Sequence, residues 1–219
     1  MTVPEAKTAL RREMRARLQN LTRAERAAAS ALICERVRAQ ALWHSAQTVL
    51  LFAPMPDEAD VWPLLTMAVG QGKAVALPRF DPVQRCYVAA HVKDLESDLI
   101  TGAFGIREPS PHCPQIPLAS LDLVLVPGLA FDATGRRLGR GKGFYDRLLA
   151  NVPGIKCGVA FGVHLAAEVP SEPHDVRMAV VITETNSVGC QCPGGTIENS
   201  PAFQCRVQAG NGLESRRDD

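Results

Sequence analysis

The sequence predicts a single α/β domain built on a mixed, mostly parallel sheet with helices on both faces. Apolar runs of strand length alternate with helical segments, and several of them, such as Leu123-Val124-Leu125-Val126, are apolar at every position, as strands buried on both faces require. The chain of 219 residues, 46% hydrophobic and 21% charged, is long enough to bury such a core and excludes a disordered or fibrous protein.

The first segment reads as an amphipathic helix. Pro4 suits its first turn, and Leu10, Met14 and Leu18 recur every four residues. On the neighbouring stripe Lys7, Arg11 and Arg15 share the same spacing, which stacks three cations on one face. Thr22 and Glu25 form a capping box that opens a second helix running to about Leu42. A strand from Thr48 to Ala53, a helix capped by Asp60 and continuing through Leu64, Leu65 and Val69, and a strand from Ala74 to Leu77 make a βαβ unit. Further strands are expected at Cys86 to His91, Leu123 to Val126, Cys157 to Phe161 and Ala179 to Ile182, with a helix opening near Phe144. Ligands of such sheets bind at the carboxyl ends of the strands. The expected domain covers residues 1–186, and residues 187–219, with five glycines and three cysteines, read as a mobile tail.

Lys and Arg number 24 against 23 Asp and Glu, so the net charge of +1 provides no long-range field for nucleic acid or an anionic membrane. No apolar run approaches the roughly 20 residues of a membrane span, and Arg12, Glu13, Arg15 and Arg17 interrupt any signal-like stretch. A cytoplasmic protein is expected; the Arg-rich residues 1–26 leave mitochondrial import open, against Glu5, Glu13 and Glu25. The seven cysteines are odd in number and scattered, which fits free thiols in a reducing compartment. Cys190, Cys192 and Cys205 supply three thiols with no His beyond His174, an incomplete set for structural zinc.

One segment concentrates charge. After Val126-Pro127-Gly128 the chain runs through Gly135-Arg136-Arg137-Leu138-Gly139-Arg140-Gly141-Lys142-Gly143-Phe144-Tyr145-Asp146-Arg147, with five cations in 12 residues. Alternating glycines let backbone N–H groups face an anion, and the following helix start adds partial positive charge. The pattern points to a polyphosphate ligand. A Walker A loop is excluded because Arg136 and Gly143 stand where Gly and Ser or Thr are needed, and the dinucleotide fingerprint fails because Phe144 takes the place of its third Gly. Asp57-Glu58-Ala59-Asp60 spells a helicase box, but a helicase needs the missing Walker A loop.

This run, together with Lys7-x-x-x-Arg11, Asp57-Glu58, Leu77-Pro78-Arg79-Phe80, Gly105-Ile106-Arg107-Glu108-Pro109 and the stretch Pro170 to Asp175, resembles the 5-formyltetrahydrofolate cyclo-ligase (methenyltetrahydrofolate synthetase) family from about residue 5 to 185. The resemblance implies an ATP- and Mg2+-dependent ligase that phosphorylates the formyl oxygen of 5-formyltetrahydrofolate and closes the ring to 5,10-methenyltetrahydrofolate, with release of ADP and phosphate. It places Lys7, Arg11, Arg137, Leu138, Gly139, Arg140, Gly141, Lys142, Gly143, Phe144 and Tyr145 around ATP. Arg11, Ala53, Glu58, Phe104, Arg140, Gly141, Lys142, Gly143 and Phe144 fall to the folate, and Asp146 and Asp175 to Mg2+. Arg140, Lys142 and Tyr145 are the expected catalytic groups. The expected partners are folate and ATP only, with no nucleic acid or membrane, and the chain acts as a monomer. Two positions depart from the family pattern: His164 replaces a Gln, and Phe144 replaces the first Tyr of Tyr-Tyr-Asp. His164 keeps open an alternative, a non-catalytic folate- or nucleotide-binding paralogue.

Overall fold

The computed structural model describes residues 1–102 and 105–189. Two helices lead, α1 (Val3–Gln19) and α2 (Arg23–Ala39), each opened by a capping box, Thr2 with Glu5 and Thr22 with Glu25. The second was expected to run to about Leu42, but Gln40 leaves the helical region at ψ 140° and the chain restarts as α3 (Ala41–Ser45). The strands and remaining helices follow as β1 (Thr48–Leu50), α4 (Trp62–Gly70), β2 (Ala74–Asp81), β3 (Cys86–Val92), β4 (Leu99–Thr101), β5 (Arg107–Pro109), β6 (Leu123–Pro127), β7 (Ala130–Phe131), β8 (Arg137–Leu138), α5 (Phe144–Leu149), β9 (Ile155–Val159), β10 (Val180–Ile182) and β11 (Ser187–Gly189).

Seven strands form one sheet in the order β11-β10-β9-β6-β1-β2-β3. The five inner strands are parallel, and β3 and β11 pair antiparallel at the two edges. The single α/β domain with its mixed, mostly parallel sheet is as the sequence predicts. Side chains alternate between faces with period two. Val49, Leu51, Val75, Leu77, Leu123 and Leu125 pack beneath α2, α3 and α4, while Leu50, Ala76, Val124 and Val126 pack against Leu148 and Leu149 of α5. Burial on both faces explains why these strands read as uninterrupted apolar runs.

Several expectations shift in extent: β2 continues past Leu77 to Asp81, and α4 has its N-cap at Val61, one residue after Asp60. β1 ends its ladder at Leu50, although the Leu51 N–H still donates to Ala76 O at 3.0 Å. β9 is Ile155–Val159 rather than Cys157 to Phe161. The sheet also takes in Ser187–Gly189, three residues past the expected domain boundary, because Val180, Val181 and Ile182 pair there with an antiparallel edge strand. Among the described residues Cys34, Cys113 and Cys157 are buried and Cys86 half-buried, none of them in a disulfide; Cys190, Cys192 and Cys205 lie outside the described residues.

Helix α1 stands apart from the sheet. Its Met14 joins Ala130, Leu138 and Val169 in a small separate core, with Leu10 packed against it, so the helix lies over the β7–β8 hairpin. That docking turns its cationic stripe toward the carboxyl ends of the parallel strands.

Candidate active site

From β1 the chain proceeds to β2 and β3 on one side, and then returns to build β6, β9 and β10 on the other. The strand order therefore reverses between β1 and β6, the place where open α/β sheets bind ligands. The loop after β1 carries Asp57 and Glu58, the loop after β6 carries the glycine-rich basic segment, and the turn after β9 carries His164.

Three cations converge there, each held by a partner distant in sequence. Arg140 Nη2 lies 2.6 Å from Asp57 Oδ1 and 3.2 Å from Glu58 Oε1. Lys7 Nζ, on a side chain only 10% exposed, lies 2.7 Å from Asp175 Oδ2 and 2.8 Å from Glu172 Oε2. Burial alone would lower the Lys7 pKa, but the hydrogen bonds and charges of Asp175 and Glu172 outweigh it and raise it. Asp175 moves the other way: burial pushes its pKa up, and the Lys7 bond, the Glu172 N–H and the Lys7 charge bring it below the usual range. Arg11 Nε donates to Gly139 O at 2.9 Å. Its guanidinium lies against Gly141, where an added Cβ would come within 3.4 Å of Arg11 Cζ. Gly141 at φ +99° and Gly143 at φ +64° take backbone conformations that glycine adopts without steric cost.

The counter-charge matters as much as the cation. Burial, the largest influence, raises the Glu58 pKa, while the Met55 N–H at 3.0 Å and Arg140 oppose that shift. Tyr145 is held neutral, because burial and then the neighbouring Glu58 and Tyr87 push its phenol well above the usual range. Phe80 and Tyr87, paired across β2 and β3, meet Phe144 edge-on at 5.4 and 5.2 Å between centroids, and Tyr145 joins at 6.0 Å from Tyr87. Phe80 is 39% exposed, so this aromatic cluster reaches the surface.

The expected site residues thus divide. Lys7, Arg11, Gly139, Arg140, Gly141, Gly143, Glu58, Phe144 and Tyr145 come together around the switch point, while Ala53 sits half-buried just after β1 and Lys142 lies exposed in the loop. Arg137 and Leu138 play a different part. The Arg137 side chain is 3% exposed and spans from Pro127 O to Asp146 Oδ1 at 2.8 Å, with its guanidinium 5.6 Å from the Tyr145 ring centre, so it supports the loop from beneath. Leu138 belongs to the small core under α1, and its carbonyl accepts the Leu129 N–H at 2.8 Å, so it shapes the hairpin beneath the loop. Helix α5 has six residues and a glycine N-cap without a side-chain bond, so the side-chain cations carry most of the positive charge expected from a helix start. Phe104 lies outside the described residues.

The carboxylates can hold a hard cation. Glu172, His174 and Asp175 each bring a donor atom within 4.8 Å of the others, whereas Asp146 on α5, the other expected ligand, is paired with Arg137 at 2.8 Å. Sequence reasoning gave no role to Asp57, Glu172, Phe80 or Tyr87, although the first three stand in stretches that carry the family resemblance. Asp57 and Glu172 become visible only through partners 83 and 165 residues away. The alternation Tyr87-x-Ala89 on β3 carried a weak hint of the aromatic face.

A glycine-rich basic loop, a buried carboxylate and an aromatic wall meeting at a sheet's switch point are the parts of an α/β enzyme site. Known proteins narrow this. The 5-formyltetrahydrofolate cyclo-ligase family profile matches residues 3–184, and the chain belongs to that family. It is 28% identical over 195 residues to the 5-formyltetrahydrofolate cyclo-ligase of Mus musculus, covering 84% of this chain and 96% of that one. To the enzyme of the same name from Mycolicibacterium smegmatis it is 36% identical over 149 residues, 66% of this chain and 77% of the relative. The NMR structure of Aquifex aeolicus 5,10-methenyltetrahydrofolate synthetase superposes with a TM-score of 0.76 at 31% identity, over 86% of this chain and 95% of that one. Among the described residues no helix is long and apolar enough to cross a membrane.

Proposed function

We propose that the protein uses ATP and Mg2+ to convert 5-formyltetrahydrofolate into 5,10-methenyltetrahydrofolate, releasing ADP and phosphate, through phosphorylation of the formyl oxygen. The observation that carries this reading is the contact of Arg140 with Glu58, because a residue of the segment suited to phosphate then touches the buried carboxylate suited to a pterin. Glu58 accepts the amino and ring N–H groups of the pterin, and Phe80, Tyr87 and Phe144 offer it aromatic faces. Lys7, Arg11, Lys142 and the backbone of Gly139 to Gly143 surround the triphosphate.

An amide-like formyl group is a poor electrophile. Its oxygen attacks the γ-phosphorus in line and ADP departs, which leaves a phosphorylated, iminium-like carbon. N10 then adds, its proton passes to solvent, and phosphate leaves as the C–O bond breaks. The protein supplies positioning and charge, and no protein nucleophile takes part. Tyr145, held neutral, donates a hydrogen bond to an oxygen that gains charge. Asp146 and Asp175 offer hard carboxylate oxygens that fit Mg2+, which when bound supplies neutralisation of phosphate charge. A cation held by Asp175 would compete with Lys7 for that carboxylate, and the Lys7 ammonium would then be available to phosphate.

The test mixes purified protein with 5-formyltetrahydrofolate, ATP and Mg2+, and follows methenyltetrahydrofolate absorbance alongside ADP. Product that requires ATP, with one ADP per turnover, supports the reading; binding of both ligands with no ADP released favours the non-catalytic paralogue. Asp146→Asn is expected to lower turnover and raise the Mg2+ requirement. Because Asp146 also pairs with Arg137, its stability is measured in parallel. Turnover equal to the parent's at saturating Mg2+ removes the metal role.

A further inference from the structure

The open end of the β4–β5 hairpin is closed by three side chains of different chemistry. Asp98 immediately precedes β4, and His112 and Cys113 follow β5. Asp98 Oδ1 lies 3.5 Å from His112 Nε2, and the Cys113 sulfur lies within 4.8 Å of a donor atom on each. Backbone bonds hold the two segments together: Ser110 N–H donates to Asp98 O at 2.8 Å and Cys113 N–H to Ser110 O at 3.0 Å.

Each donor atom is aimed by a second contact. Asp98 Oδ2 accepts the Lys93 and Asp94 N–H groups at 2.8 and 3.0 Å, which leaves Oδ1 toward the imidazole. Ser110 Oγ lies 2.6 Å from His112 Nδ1 and fixes the ring with Nε2 facing Asp98. Cys113 is 3% exposed, and its thiol donates to Asp98 O at 3.3 Å. Arg79 binds the carbonyls of Ser110 and Cys113 at 2.8 and 2.9 Å. Its charge opposes the upward push that burial, first, and Asp98, second, give the thiol pKa. The His112 side chain is exposed, so the cluster is reached from solvent. Nothing in the folate and nucleotide reading uses these residues.

We propose that Asp98, His112 and Cys113 form an open, three-ligand zinc site at the end of the β4–β5 hairpin, with water as the fourth ligand rather than the fourth side chain of a closed structural site. One oxygen, one imidazole nitrogen and one sulfur suit Zn2+, whereas Mg2+ and Ca2+ select oxygen alone. Binding releases the Cys113 proton to solvent and breaks the bond from that thiol to Asp98 O. The imidazole enters neutral, and the carboxylate and thiolate balance the metal's charge, so affinity rises with pH. Ser110 acts through His112 as a positioning residue.

The test titrates metal-free, reduced, full-length protein with Co2+ as a spectroscopic stand-in for zinc. One equivalent is expected to produce a thiolate-to-cobalt charge-transfer band and tetrahedral ligand-field absorption, both abolished by Zn2+. Cys113→Ala removes the charge-transfer band. His112→Asn, at an exposed position that tolerates substitution, weakens binding at least about tenfold, and Ser110→Ala weakens it by roughly 10–100-fold. Zn2+ raises the midpoint of thermal unfolding of the parent and raises that of His112→Asn by less at the same concentration. Absence of a charge-transfer band overturns the proposal. So does a band that survives in Cys113→Ala and His112→Asn but is lost in Cys190→Ala/Cys192→Ala, which assigns the metal to the C-terminal cysteines.

Discussion

Glu58 and His164 each couple a proton to folding, and they do so with opposite sign. Glu58 has a raised folded pKa, caused first by burial. Between the unfolded value of 4.5 and that higher value the folded state keeps a proton the unfolded chain has lost, so stability falls as pH rises through the window. Glu58→Gln removes this penalty. Urea unfolding is expected to show its stability relative to the parent increasing from pH 4 to pH 8, while folate affinity drops about tenfold or more for loss of a charged acceptor; a pH-independent difference removes Glu58 as the source. His164 is 2% exposed, and its Nε2 has no hydrogen-bond partner among the described residues. Burial lowers its pKa from 6.5 to about 4, with Asp57 opposing and Arg140 adding to the shift. Between those values the unfolded chain binds more protons, so stability is lost as pH falls from 6.5 toward 4. His164→Gln abolishes that slope, worth on the order of 2–3 kcal/mol by pH 4.5, and unfolding curves at pH 7 and 4.5 measure it. An equal slope in both proteins sinks this account.

At the scale of elements, the glycine loop and α1 form one unit although 128 residues separate Arg11 from Gly139. Gly141→Ala strains a backbone at φ +99° and crowds Arg11, and is expected to cost about 1–2 kcal/mol in stability. It should also raise the KM for ATP by about tenfold or more by displacing that guanidinium. An ATP titration together with urea denaturation checks both, and an unchanged KM separates Arg11 from the cradle. The legibility of elements follows from how they are stabilised. Strand β6, buried at every position, declares itself through an unbroken apolar run, and α1 and α2 through four-residue stripes and caps. The β7–β8 hairpin has two residues per strand and owes its existence to α1 packing on Ala130 and Leu138, so no local pattern could announce it. The break at Gln40 was hidden because the flanking residues keep helical composition. In the site, residue types and the loop spacing were readable, but the counter-charges were not. Asp57, Glu172 and the Arg137–Asp146 pair are set by which loops meet across the sheet's edge.

Across the whole molecule the two ends of the sheet have separate duties. The carboxyl ends of the parallel strands hold every charged pair around Glu58, Arg140 and Lys7, while the amino ends are closed by tight backbone packing. Gly154 shows the latter: a Cβ there would lie 2.1 Å from Leu121 O, just before β6 and β9 begin. Gly154→Ala is expected to destabilise by about 2–3 kcal/mol through this backbone collision. At low temperature its kcat/KM should match the parent's, measured beside the thermal midpoint; a proportionate loss of turnover contradicts the division of duties. The pairing of Lys7 with Glu172 and Asp175, 165 and 168 residues downstream, also has a consequence in time. At ribosomal rates of about 5–20 residues per second, the first helix emerges roughly 10–30 s before its partners are translated. Through that interval the first helix has no partner for its Lys7, and the edge it forms with Glu172 and Asp175 closes only once that late segment has been made.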